Sequence, residues 1–244
     1  FGSQSGARGF LGSVEIEFSS GRMASLCGKI DRLDIADVDG CRFALIFDYK
    51  RRAARFDWSK FFHGLQLQLP LYMLAVRGAA DALGAQPVGA FFVPVEVSPE
   101  AAELGRDQPE RFNRKAHGIF DGGYHGLLDE QLVAGRSKYY NFFMLKDGQP
   151  YGDYWRSGSL HPHHFEDLLG FAEAKVASLV SRVAEGQIDV NPVRLKGEPH
   201  CSYCDYKSVC RFDWQINDYN FLETAGKTEI LEKIKTEGQK GKGT

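Results

Sequence analysis

The chain has 244 residues, enough for one large domain or two small ones, with an ordinary 43% hydrophobic and 25% charged residues. Its net charge is −2, so total charge alone does not announce a nucleic-acid partner. No apolar run reaches membrane-spanning length and no signal-peptide pattern is visible. Five cysteines, an odd number with three closely spaced, favour metal ligation in a reducing compartment over a secreted disulfide framework.

The first residues, Phe1 to Gly12, are rich in Gly and Ser and predict a flexible end over 1–13. The missing initiator Met predicts a piece of a longer protein. Val14–Phe18 alternates like a strand, and Ser19-Ser20-Gly21-Arg22 makes a turn. Leu26–Ile35 and Phe43–Tyr49 complete a three-strand meander, with a turn at Asp37-Val38-Asp39-Gly40. A hairpin of the last two strands sets Asp31 beside Asp48 across the ladder. Side chains alternate along a strand, so Asp48 and Lys50 leave one face and Tyr49 the other.

A helix is predicted from Trp58 to Leu83, with Leu65, Leu69, Tyr72, Met73 and Val76 on one face, a bend at Pro70 and a stop at Gly84. Val88–Val97 reads as a strand whose Pro94 suggests an edge or a bulge. Residues 98–160 have poor periodicity and read as an irregular insertion with one short helix near Asp129–Val133. From His163 to Glu185 apolar residues recur at three and four, and Gly186 ends that helix. A cysteine-rich segment occupies 191–213. From 214 to 244 the chain reads as a polar tail with a disordered end.

The chemistry concentrates early. Asp31 and Asp48 supply the one or two carboxylates that Mg²⁺ takes from a protein, and the Tyr49 carbonyl is a third candidate ligand. Lys50, on the same face, suits orienting a water or stabilising a phosphorane-like transition state. An exposed Asp–Lys ion pair is the plain alternative. Between Arg42 and Lys60 six cations face two acids, and Arg51, Arg52 and Arg55 suit a polyanion, with a solvated strand end as the alternative. Gln68 and Tyr72, four apart, share a helix face. They suit a phosphate or Lys50, or else a surface Gln beside a core Tyr.

Cys201, Cys204 and Cys210, spaced Cys-x2-Cys-x5-Cys, point to zinc or an iron–sulfur cluster, each of which wants four ligands. The fourth is Cys27, Cys41, His200 (for zinc) or a residue outside this sequence. Gly226-Lys227-Thr228 ends like a phosphate-binding loop, but position 221 is Phe221 where glycine is required, which excludes a nucleotide site. His161, His163 and His164 read as a turn before a helix.

Together, Gly28-Lys29-Ile30-Asp31-Arg32-Leu33-Asp34, Asp48-Tyr49-Lys50, Gln66-Leu67-Gln68-Leu69-Pro70-Leu71-Tyr72, Val88-Gly89-Ala90-Phe91-Phe92, Asn191-Pro192 and the three cysteines resemble the RecB-type branch of the PD-(D/E)XK nucleases. Within it they are most similar to the C-terminal nuclease domain of AddB-type helicase–nuclease subunits, over roughly residues 14–213. The resemblance implies an α/β (α+β) restriction-endonuclease-like core: a mixed central sheet flanked by helices, with a C-terminal cluster-binding segment. It implies a cytoplasmic bacterial exodeoxyribonuclease in double-strand break processing, cutting the 5′-ended strand beside an AddA-type subunit. It implies Mg²⁺ (or Mn²⁺) on Asp31 and Asp48, with Lys50, Gln68 and Tyr72 catalytic. Cys201, Cys204 and Cys210 would hold a [4Fe–4S] cluster whose fourth ligand lies outside this chain. Relatives of the RecB type also use an upstream histidine, whereas the first histidine here is His63. A non-catalytic DNA-binding scaffold of the same fold and a Cas4-like or stand-alone exonuclease are the competing readings.

Overall fold

A computed structural model of the chain describes residues 11–19, 21–96, 115–199, 201 and 204–240. Strands β1 (Val14–Phe18) and β2 (Arg22–Leu26) form a separate two-stranded sheet. The predicted Leu26–Ile35 strand is therefore divided. β2 stops at Leu26, and β3 (Arg32–Val38) starts after a loop containing Gly28, pairing antiparallel with β4 (Cys41–Lys50). Asp31 lies just outside the ladder, and its side chain, in place of a backbone carbonyl, accepts the Tyr49 N–H across the hairpin.

The predicted 58–83 helix is three helices: α1 (Trp58–Phe62), α2 (Gln68–Gly78) and α3 (Ala80–Leu83). Gly64 breaks the first junction with φ +79°, and Gly84 closes the third helix with φ +61°. Pro70 does not bend α2. It sits in the first turn, where its missing N–H has no carbonyl partner to lose.

β5 (Gln86–Pro94) runs parallel to β4 and lies inside the sheet, so Pro94 marks the strand's end rather than an edge. The predicted irregular insertion instead builds structure from residue 115 onward. β6 (His117–Asp121) pairs with β5, and a 3-10 helix spans Gly122–Leu127 in place of the helix expected near Asp129–Val133. β7 (Gly135–Arg136) and β8 (Phe143–Met144) form a small hairpin, and β9 (Ser159–Leu160) joins β6 in parallel. The central sheet is mixed, in the order β3-β4-β5-β6-β9.

Helix α4 (Pro162–Ala184) matches its prediction to within a residue. Gly186 at φ +71° follows it, with Gly186 N–H on Val183 and Gln187 N–H on Arg182, a Schellman closure. β10 (Val193–Leu195), β11 (Glu198–Pro199) and β12 (Asn220–Leu222) form a third small sheet around the short α5 (Lys207–Cys210).

Two apolar layers fix the sheet. Ala44, Ile46, Ala90, Phe92 and Ile119 pack against α2, α4 and α6 (Lys227–Lys240). Leu45, Phe47, Phe91 and Phe120 pack against Phe142, Met144 and Leu128 on the opposite face. The predicted disordered tail is thus corrected over 227–240. Ile230, Leu231 and Ile234 are buried, at about 1.5–3 kcal/mol each, which outweighs the polarity of the rest of α6. Leu11, predicted within a flexible end, is also buried, while Phe1 to Phe10 and residues 241–244 lie outside the described residues. Among the described residues no helix is long and apolar enough to cross a membrane.

Candidate active site

β4 positions the site through its period of two. Ala44 and Ile46 face the helical layer, and Asp48 continues that row to the strand's end. It is therefore a carboxylate only 3% exposed at the rim of an apolar core. Lys50 leaves the same face, and its Nζ stands 2.6 Å from Asp48 Oδ2.

The start of α2 supplies the rest. Gln68 accepts from Lys50 Nζ at 2.8 Å through Oε1. Its Nε2 donates to Asp48 Oδ1 at 2.9 Å and to Tyr72 Oη at 2.7 Å, and Tyr72 Oη donates to Asp48 Oδ1 at 3.4 Å. One amide, placed a helical turn before Tyr72, thus ties the lysine, the aspartate and the tyrosine together. Burial, with the nearby Asp48 and Asp31 charges, pushes the Tyr72 phenol above its ordinary value, so it remains a donor.

Asp31 sits one step past the β3–β4 register, opposite Asp48, and accepts the Tyr49 N–H at 3.0 Å through Oδ2. The N–H and C=O of one strand residue face the same edge, so the Tyr49 carbonyl faces the edge where Asp31 lies and β3 has ended. Arg32 pairs with Asp34 and reaches Tyr49 Oη at 3.4 Å.

The donor chemistry fits a hard divalent cation. Asp31 and Asp48 stand opposite one another in register at the open end of the hairpin, beside a strand-end carbonyl, and Asp48 Oδ2 faces the Lys50 ammonium at 2.6 Å. The cysteines fit less completely. Cys201, Cys204 and Cys210 carry free thiols around α5, and Cys27, in the loop after β2, and Cys41, at the start of β4, are exposed. Among the described residues no three His, Cys, Asp or Glu side chains are arranged to hold a metal ion, and His200 lies outside them. The thiolate chemistry suits a cluster, but its ligand set is not complete here.

Of the three predicted DNA-binding arginines, Arg51 forms an exposed ion pair with Glu96 and Arg52 is exposed. Arg55 lines a cavity beside the site. The loop carrying Arg55 is held by Gln66, whose Oε1 accepts the Asp57 N–H at 2.7 Å and whose Nε2 donates to Arg55 O at 3.1 Å. The sequence reading missed His117, which lies in register with Phe92 and so with Asp48 across the sheet. Its one available signal was the short apolar run Gly118-Ile119-Phe120, hidden in an otherwise aperiodic segment.

A sequence model of the PD-(D/E)XK nuclease superfamily matches residues 5–211. The chain is 29% identical over 245 residues to the AddB-type subunit of the ATP-dependent helicase/deoxyribonuclease of Bacillus pumilus, covering 96% of this chain and 21% of that protein. The same-named protein of Clostridium botulinum is 27% identical over 233 residues, covering 91% of this chain and 20% of the relative. That of Bacillus subtilis is 29% identical over 244 residues, covering 95% and 21%. The chain therefore spans about a fifth of the length of these curated relatives.

Proposed function

The chain belongs to the PD-(D/E)XK nuclease superfamily, and from that premise we propose that it is a Mg²⁺-dependent deoxyribonuclease acting within a helicase–nuclease of the kind its relatives' names describe. The observation that carries the reading is the closed set Asp48, Lys50, Gln68 and Tyr72 beside Asp31. A cation bound by Asp31, Asp48 and the Tyr49 carbonyl would neutralise phosphate charge and acidify a bound water.

The residues divide the remaining work. Lys50 places a positive charge where negative charge develops on the phosphoryl oxygens, and Gln68 fixes its direction. Gln68 and Tyr72 both donate to Asp48 Oδ1, so Oδ2, which faces Lys50 at 2.6 Å, is the oxygen on the metal side. The apolar layer behind Asp48 keeps bulk water from screening these charges.

By the same reading residues 14–213 form the nuclease domain. An AddA-type subunit is the partner, DNA ends are the substrate, and the bacterial cytoplasm is the compartment. Cys201, Cys204 and Cys210 are three of four [4Fe–4S] ligands in the full-length protein. Cleavage of labelled single-stranded DNA by the parent, Asp48→Ala and Lys50→Ala with and without Mg²⁺ tests the reading. Loss of cleavage in both variants is expected, and unchanged cleavage in either refutes it.

A further inference from the structure

Two strands along from Asp48, the sheet opens into a cavity of about 640 Å³ lined by Arg55, Lys115, His117, Arg136, Trp155 and Arg156 among others. Its place follows from register. Asp48 pairs with Phe92 and Phe92 with His117, and neighbouring strands lie about 4.8 Å apart, so His117 stands roughly 10 Å from Asp48 on the same face.

The lining is cationic with few counterions. Its one acid, Asp153, is paired with Arg136. Among the described residues Arg55, Lys115 and Arg156 have no ion pair. Burial and the Arg136 charge hold Lys115 below the usual lysine range. Burial, with Arg55 and Lys115, holds His117 down at about 4, so it is neutral at pH 7 and adds no charge of its own. Crowded cations of this kind suit a polyanion.

Gly118 also lines the cavity, and a Cβ there would collide with the Ala90 carbonyl of β5, so only glycine lets β6 approach that closely. Asn141 accepts the Gly118 N–H at 3.0 Å, and its own carbonyl accepts Gly158 N–H at 2.7 Å. At the mouth Trp155 is 59% exposed, with the Arg156 guanidinium 4.0 Å over its ring.

We propose that this cavity is a strand-holding subsite for single-stranded DNA, with phosphates on Arg55, Lys115 and Arg136 and an unpaired base stacked on the Trp155–Arg156 pair. The inference rests on the nuclease reading above and deepens it. A cationic groove interleaved with aromatic rings is the general solution for unpaired nucleic acid, since every base offers a π-face. The subsite lies one or two nucleotides from Asp48 and so feeds a strand, rather than a duplex, to the carboxylates.

The test is binding of a fluorescein-labelled dT12 and of a blunt hairpin duplex to the full chain, by anisotropy without divalent metal. Trp155→Ala should weaken dT12 between about 5- and 150-fold, the range for losing one stacked base, and leave the duplex unchanged. Trp155→Phe should restore dT12 binding. Arg55→Glu with Lys115→Glu should weaken dT12 and flatten its salt dependence by about 0.7 per lost phosphate contact. Parental dT12 affinity in Trp155→Ala, in a variant whose melting curve is parental, overturns the proposal. So does equal weakening of strand and duplex. Because binding is read without metal or cleavage, its failure is separate from failure of the nuclease reading, which the Asp48 and Lys50 variants decide.

Discussion

Gln68→Met removes the amide at the centre of the site while keeping the side chain's length. Gln68 makes two hydrogen bonds to charged partners, Lys50 Nζ at 2.8 Å and Asp48 Oδ1 at 2.9 Å. A bond to a charged group contributes about 1.5–3 kcal/mol. If only the Lys50 bond is expressed in the transition state, its loss slows the chemical step by roughly 10- to 150-fold, at about 1.4 kcal/mol per factor of ten. The Asp48 bond acts on the folded state. Without it, Asp48 Oδ1 keeps only Tyr72 at 3.4 Å, and the fold loses about 1–3 kcal/mol, or a few degrees in Tm. The assay is single-turnover cleavage of a labelled single strand at saturating Mg²⁺, beside a melting curve. Because Gln68 does not line the strand-holding cavity, dT12 affinity should stay parental while the rate falls. A Gln68→Met variant that cleaves at the parental rate refutes the positioning argument.

One further outcome follows from the geometry and one from the cysteine spacing. Lys227 is 1% exposed, its Nζ donates to Ser157 O and Ser159 O, and burial holds it down at about 6. The folded state therefore binds fewer protons than the unfolded chain between that value and about 10.4, so stability rises with pH across this window, by up to about 1.4 kcal/mol per pH unit. Urea midpoints between pH 7 and 10 should climb more steeply in the parent than in Lys227→Met, and equal slopes contradict the assignment. The full-length protein, purified without oxygen, should contain iron and absorb broadly in the blue visible region, both lost when Cys201, Cys204 and Cys210 become Ser; zinc without iron argues against the cluster.

The candidate site was legible because strand and helix periods are strict. Asp48 and Lys50 at i and i+2, and Gln68 and Tyr72 at i and i+4, need only the right element type to share a face. The Asp31–Asp48 adjacency followed from the hairpin, although Asp31 falls just outside β3 once it takes the Tyr49 N–H. Residues 115–160 were not legible, since β7, β8 and β9 are two residues each and their pairing is set by tertiary contacts rather than by local pattern. Helix α6 was hidden for a related reason. Three apolar residues among lysines and glutamates look like a solvated tail until the groove beside α4 is known. Lys227, which follows Gly226 like the end of a phosphate loop, is a buried tether between α6 and the β9 backbone.

Asp31, Asp48 and Lys50 are proposed to form one metal-dependent phosphodiesterase site. The most direct measurement is the Mg²⁺ dependence of cleavage of a labelled single strand by Asp48→Asn. This variant keeps the side chain's shape and its acceptor oxygen toward Gln68 while losing the buried negative charge. No Mg²⁺-stimulated cleavage is expected at any metal concentration, with the fold intact. Parental cleavage with a parental Mg²⁺ midpoint would contradict it.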